Sequence, residues 1–554
     1  MKKVIKTMIV VLIIMILTLN YSFVEAVPEA PPDGEMSNGG APAGTPPSGG
    51  MNGEGGPMGT PPSGGMNGEG APVGTPPDGA MNGGGAPGEN MGGPGGNSSA
   101  SNITHTGATT ISSDTTNSGS TYSSTTGSEN ALLVTGGTST LSDITVTKSG
   151  DSDGDEADFY GINAAVLAKE GTLNIKGGKV TTNGAHANGV FAYSSGVINI
   201  SDATIETSSN NSGAIMVTGG GTLTANNVTA TTAGNSSAPI RSDRGGGTLT
   251  VNGGTYTANG VGSPAIYSTA DIIVNNANLT STSSEGAVVE GKNSITLNNV
   301  NLTDTNTSLN GNSETYKNIF LYQSMSGDAD VGNASFTAKD STITTNKGDT
   351  IFVTNTKATI SLTNNQIVNN DSTGEFLRIQ SGKWGTSGAN GGDVTLNATN
   401  QAIDGDIYVD NISTLEMNIS GKSSYNGTIN GDNKAKTLSV SLDSTSTLTL
   451  TGDSYITSLN NDVSDNSNIN LNGYTLYVNG TAITSTNYKG GESKIVDETT
   501  NNTTTKTTTN QNNAQTEVKN NAENNTKMQI IIPIIVVALI FVIILIILIT
   551  KKKK

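Results

Sequence analysis

Apolar and polar residues alternate in short bursts through the middle of this chain, and the bursts recur at a near-constant interval. GTLNI starts at Gly171, GVINI at Gly196, GTLTA at Gly221, GTLTV at Gly247, ADIIV at Ala270 and NSITL at Asn293. The third residue of each burst is Leu173, Ile198, Leu223, Leu249, Ile272 or Ile295. The fifth is Ile175, Ile200, Ala225, Val251, Val274 or Leu297. A period of two predicts a strand with one buried face. Two places further on stand Gly177, Asp202, Asn227, Gly253, Asn276 and Asn299. These residue types tolerate a left-handed backbone, so a sharp turn is predicted there. Another short strand follows, as in NLTSTS from Asn278. A further one precedes each burst: AIMV from Ala214, AIYS from Ala265, AVVE from Ala287. Counted from it, this is the first strand of a coil, the burst the second and NLTSTS the third.

Three short strands and their turns fill one repeat. No such unit can bury its apolar side alone, so it must stack on its neighbours. The prediction is an all-β, single-stranded parallel β-helix with coils spaced at ~4.8 Å and aliphatic ladders inside. A β-sandwich also has many short strands, but it does not require the same turn at the same phase in six consecutive segments. The phase continues with Phe336 and Ala338 inward before a turn at Asp340, and with Ile360 and Leu362 inward before Asn364. GDVTL from Gly392, STLEM from Ser413 and SNINL from Ser467 resemble later coils, with insertions near 305–318 and 381–391. Strand signals begin near Ala131 and end near Ile483. The whole β-helix domain is assigned to 98–490.

Both ends of the chain point to a membrane. Lys2, Lys3 and Lys6 precede an apolar run from Met8 to Leu19, with Val24 and Ala26 placed for a small-residue cleavage site. Residues 1–26 are therefore expected to be a signal peptide. Residues 528–550 carry no charge. As a helix they would span ~35 Å, enough for a ~30 Å hydrocarbon core. Lys551 to Lys554 follow, a lysine tail expected to stay in the cytoplasm. The body is thus expected outside a cell membrane, anchored by a single C-terminal pass. Residues 27–97 are Pro/Gly-rich, with GTPP starting at Gly44, Gly59 and Gly74. They are expected to form an extended arm, either an inert spacer or one touching cell-wall polymer. Residues 491–527, rich in Asn and Thr, are expected to be a disordered stalk.

The chain has no Cys, so stability must come from stacked coils, not disulfides. A formal net charge of −18 and three arginines exclude a nucleic-acid surface. Two of those arginines lie together in APIRSDRGGG, Arg241 and Arg244. Counting three places back from each repeat start gives Tyr193, Thr218, Arg244, Tyr267 and Glu290. Stacking would align them in a polar, partly aromatic strip with Arg241, Asp243 and Lys292 close by, where a glycan chain could lie. The alternative is an exposed face with a local ion-pair network. Trp384 is a further stacking candidate. In DSDGDEAD, the residues Asp151, Asp153, Asp155 and Asp158 offer hard oxygen ligands of the kind calcium prefers, although the spacing is not an EF-hand. A solvated loop between coils is the alternative. His186 stands alone in a Gly/Ala/Asn stretch and is read as structural or solvated, and His105 as outside the solenoid.

The repeats, together with GSPAIYSTADI from Gly262, YQSMSGDAD from Tyr322 and WGTSGANGGDVTLNATNQ from Trp384, resemble the adhesin-like, pectin-lyase-fold surface proteins of Gram-positive bacteria and methanogenic archaea. The resemblance covers 130–480. It implies a pectin-lyase-like solenoid and adhesion or polysaccharide binding more than catalysis. Anchoring would be by the membrane, because an LPxTG-type sorting signal is absent. Polysaccharide lyases and hydrolases share the fold. Against catalysis, the solenoid contains no GHG motif and no adjacent Asp pair, and Asp404, Asp406 and Asp410 suit ordinary turns. The expectation is a surface β-helix that binds a polysaccharide or cell-surface glycan, with an enzyme or a passive spacer as alternatives.

Overall fold

A computed structural model describes residues 103–309 and 314–483. They form a parallel β-solenoid of about 15 turns. The ladder predicted from the repeat is present in register. Leu173 pairs with Ile198, Ile198 with Leu223, Leu223 with Leu249, Leu249 with Ile272, and Ile272 with Ile295. Each of these six side chains is fully buried. Phe336, Ile360, Leu396 and Met417 continue the column. Fully burying one such side chain stabilises by about 1.5–3 kcal/mol, but each depends on the coils above and below it.

The turns also match. Asp202, Asn227, Asn276, Asn299, Asp340 and Asn364 all have φ between 51° and 54°, and Gly177 and Gly253 have φ of 70° and 72°. Beside these turns Asn side chains stack from coil to coil. Asn252 donates to Asn226, Asn275 to Asn252 and Asn298 to Asn275, at 2.9–3.0 Å. Each amide supplies the acceptor that its neighbour needs, so a half-buried polar row is satisfied along its length.

One boundary and one register differ from expectation. The solenoid begins at Gly107–Ile111, one coil before Ala131, and pairs directly with Asn130–Lys148. That coil is rich in Thr and Ser and buries few apolar side chains, Ile111 and Tyr122 among them, so its periodicity is weak. SNINL does not continue the second-strand column. Ile469 pairs with Leu448 in a separate four-stranded sheet, and the second-strand column runs instead through Thr437–Leu442 and Ser458–Asn461. A five-residue motif with one inward phase fits either column, and only pairing distinguishes them.

No helix among the described residues is long and apolar enough to cross a membrane. The segments read as signal peptide (1–26), arm (27–97), stalk (491–527), membrane span (528–550) and lysine tail (551–554) lie outside the described residues.

Candidate functional site

The first strand of each coil carries an outward column as well as an inward one. In register it runs Leu133, Leu167, Phe191, Met216, Arg241, Tyr267, Val288, Phe320, Phe352. Most of it is covered. Leu133, Leu167, Phe191 and Met216 pack with Tyr160 and Tyr193. The short helix Glu156–Tyr160 belongs to this cover, held by Thr218 Oγ1 donating to the Phe159 carbonyl at 2.6 Å. Val288, Phe320 and Phe352 pack with Tyr322 and Trp384 in a second apolar group. Between the two groups the column turns polar at Arg241 and Tyr267. There a cleft of about 680 Å³ opens, walled by the helix on one side and by Ser326 and Asp328 on the other.

The cleft holds a charged network drawn from distant parts of the chain. His186 Nδ1 lies 2.9 Å from Asp158 Oδ2, and its Nε2 lies 3.1 Å from the Asn211 amide nitrogen. The Asp158 hydrogen bond raises the imidazole above its ordinary value of 6.5, against burial. Arg241 donates to Asp243 Oδ2 at 2.9 Å and lies 3.7 Å from Asp158 Oδ1. Burial pulls this guanidinium down, but the two carboxylates outweigh it and hold it above its usual range. Burial pushes the Asp243 carboxyl up to about 7, against the pull of Arg241, with Asp158 and Asp328 adding to the rise. Arg244 donates to Asp328 at 2.8 Å and lies 4.0 Å above the Phe159 ring. Its Nε is buried without a hydrogen-bond partner.

Behind the cleft, Glu290 is 1 % exposed and accepts from three hydroxyls. Tyr267 donates at 2.5 Å, Tyr322 at 2.7 Å, and Ser324 closes on the other oxygen. Burial, then the neighbouring Tyr322 and the Glu290 charge, push the Tyr267 phenol well above its ordinary range, and burial and Glu290 do the same to Tyr322 against a hydrogen bond from Tyr267. The two rings are thereby fixed where they line the cleft.

The predicted strip is only partly realised. Arg241, not Arg244, pairs with Tyr267, and Glu290 pairs with Tyr322 instead of Tyr267. The cause is the turn between first and second strands. Ile266 leads to Ile272, but Ile240 leads to Leu249, so counting back from the repeat start slips between coils. Arg241, Arg244 and Tyr267 nevertheless reach the cleft. Tyr193 does pair with Thr218 as expected, but is 9 % exposed and packs on Tyr160 and His105. His105 precedes the first strand, as expected, and its Nε2 lies 2.8 Å from the Tyr160 carbonyl at the end of the short helix. Trp384 covers the Phe320–Phe352 group, 5.9 Å from Tyr322, and does not line the cleft.

The four aspartates read as calcium ligands have separate places. Asp151 accepts from the Ala185 amide at 2.7 Å, Asp153 is exposed, and Asp155 and Asp158 line the cleft. Among the described residues no group of three or more His, Asp or Glu side chains is placed to hold a metal ion. Sequence reasoning placed Asp243 beside the strip but missed His186 and Asp328 as parts of the site. One signal was available. IMVT, AVVE and IFLY are apolar on both phases, which marks a strand covered on both faces, and IRS and IYS interrupt that run. Comparison with protein families, curated proteins and solved structures finds no match for this chain.

Proposed function

We propose that this protein is a cell-surface β-helix, anchored by its C-terminal apolar span, that binds a saccharide chain in the Arg241–Tyr267 cleft. The observation that carries the reading is the gap in the covered outward column. Everywhere from Leu133 to Phe352 that column is roofed by helix or loop, except where Arg241 and Tyr267 face an open polar space. A site of this size with tyrosine rings and several fixed polar groups suits sugar units, which offer an apolar ring face and a rim of hydroxyls. The buried, unpartnered Nε of Arg244 is a donor that a sugar oxygen could satisfy. The rings are preorganised by Glu290, which lowers the ordering cost of binding.

A glycan array probed with the full-length protein in detergent micelles tests this reading. Binding to at least one saccharide class is expected, and Tyr267→Ala should abolish it in protein that still melts cooperatively. Binding by neither protein to any saccharide would leave the surface-spacer role.

A second reading is cleavage of the bound chain. One observation favours it: Asp158 and Asp243 share the cleft in different environments, one hydrogen-bonded to His186, the other carrying a carboxyl raised to about 7. Release of new reducing ends from an oligosaccharide panel, lost in Asp243→Asn, would establish it.

A further inference from the structure

The charge of the cleft narrows the ligand. Asp155, Glu156, Asp158 and Asp328 line it as carboxylates, with Asp243 held partly protonated by burial, against Arg241, Arg244 and His186, the last paired to Asp158. The acids come from three separate places: the short helix and its cap, the turn after Ile240–Ser242, and the loop after Tyr322. Both guanidiniums are already engaged, Arg241 by Asp243 and Arg244 by Asp328. An incoming uronate would find no free cation and would meet the remaining carboxylates. Asp155 and Glu156 stand exposed on the rim without a salt bridge, and the Asp155 side chain does not cap its helix.

Deeper in, the Asp158 side chain is 7 % exposed and still has capacity to accept. Its Oδ1 holds only a 3.3 Å contact from Asn188 and the 3.7 Å contact from Arg241. A carboxylate oxygen can accept two hydrogen bonds, and burial sharpens the need to fill them. The ligand group that answers this wall is a cationic donor. An ammonium brings three N–H donors and one positive charge, and it can also lie against a tyrosine face. Low-dielectric walls focus the field of the excess carboxylates into the opening.

Building on the saccharide-binding reading, we infer that the cleft selects a polysaccharide whose sugar units carry a free amine, such as a de-N-acetylated hexosamine chain, over neutral and uronate chains. The amine sits among Asp155, Glu156 and Asp158, while Tyr267 packs on a ring face. Asp328 sets the selectivity by occupying Arg244.

The experiment measures binding of matched-length oligomers of glucosamine, N-acetylglucosamine and galacturonate to full-length protein in detergent micelles, at a mildly acidic pH where the amines are charged. The glucosamine oligomer is expected to bind about tenfold or more tightly than either other oligomer, with affinity falling as salt rises. The exposed double variant Asp155→Asn, Glu156→Gln should lose most of that preference without loss of thermal stability. Asp328→Asn, which frees Arg244, should improve galacturonate binding. Equal or tighter binding of the N-acetylated or uronate oligomer by the wild type overturns the inference and leaves saccharide binding intact. So does a preference unchanged in both variants. If the protein binds no saccharide of any class, the saccharide reading fails and this inference with it.

Discussion

His186 Nδ1 and Asp158 Oδ2 lie 2.9 Å apart although 28 residues separate them in the chain. His186 sits at φ 56°, a left-handed position where Asn is the natural substitute. The pair couples the helix that roofs the cleft to the coil beneath it. Because His186 is raised above 6.5, its stabilising effect is full below that value and lost as pH rises through the higher folded value.

The cleft should therefore be less stable in alkali. Asp243 acts in the same direction. With a carboxyl raised from 3.8 to about 7, the folded state keeps a proton that the unfolded chain releases, so stability falls as pH rises across that window. The melting temperature is expected to drop from about pH 4 through about pH 7 as Asp243 loses its proton, and on past the raised His186 value, and His186→Asn should flatten the upper part of that slope. An identical slope in the variant would show that the His186–Asp158 pair does not set it.

Arg241→Met should be strongly destabilising. It leaves Asp158 and Asp243 side by side and 7 % exposed without their shared cation. Breaking a buried pair from one side costs about 3–5 kcal/mol. The double variant Arg241→Met, Asp243→Asn should recover part of this in urea denaturation. No recovery would mean that the loss comes from the packing of the arginine stem.

Ladder and turn positions should differ in tolerance. Leu249→Asp places a carboxylate between Leu223 and Ile272, in a fully buried column, and should cost several kcal/mol. Asn276→Gly keeps the left-handed turn at φ 54° and removes one exposed side-chain hydrogen bond, from Asn299 at 2.8 Å. It should cost about 1 kcal/mol or less. Thermal melts that give similar losses for both would contradict the register.

Deleting residues 527–554 should release the protein into the medium, because 528–550 is an uncharged span followed by four lysines. Recovery of the truncated chain in the membrane fraction would require another anchor.

Local chemistry was enough to determine the coil. Alternation at Leu249 and Val251 reports a strand with one buried face, and Asn276 or Gly253 reports a left-handed turn, because both depend only on neighbouring residues. Repetition then makes stacking unavoidable, and the long ladder follows. The cleft was different. The register of its first strand against the repeat starts depends on how many residues the turn that follows it consumes, which is why Arg241 and not Arg244 meets Tyr267. Its roof is the inserted helix Glu156–Tyr160, and its far wall is the loop bearing Asp328. Arg244 and Asp328 are 84 residues apart, and no periodicity links them. Such contacts come from insertions folding back over a repeating scaffold, so only the tertiary structure could decide that a histidine, two arginines and five acidic side chains share one site.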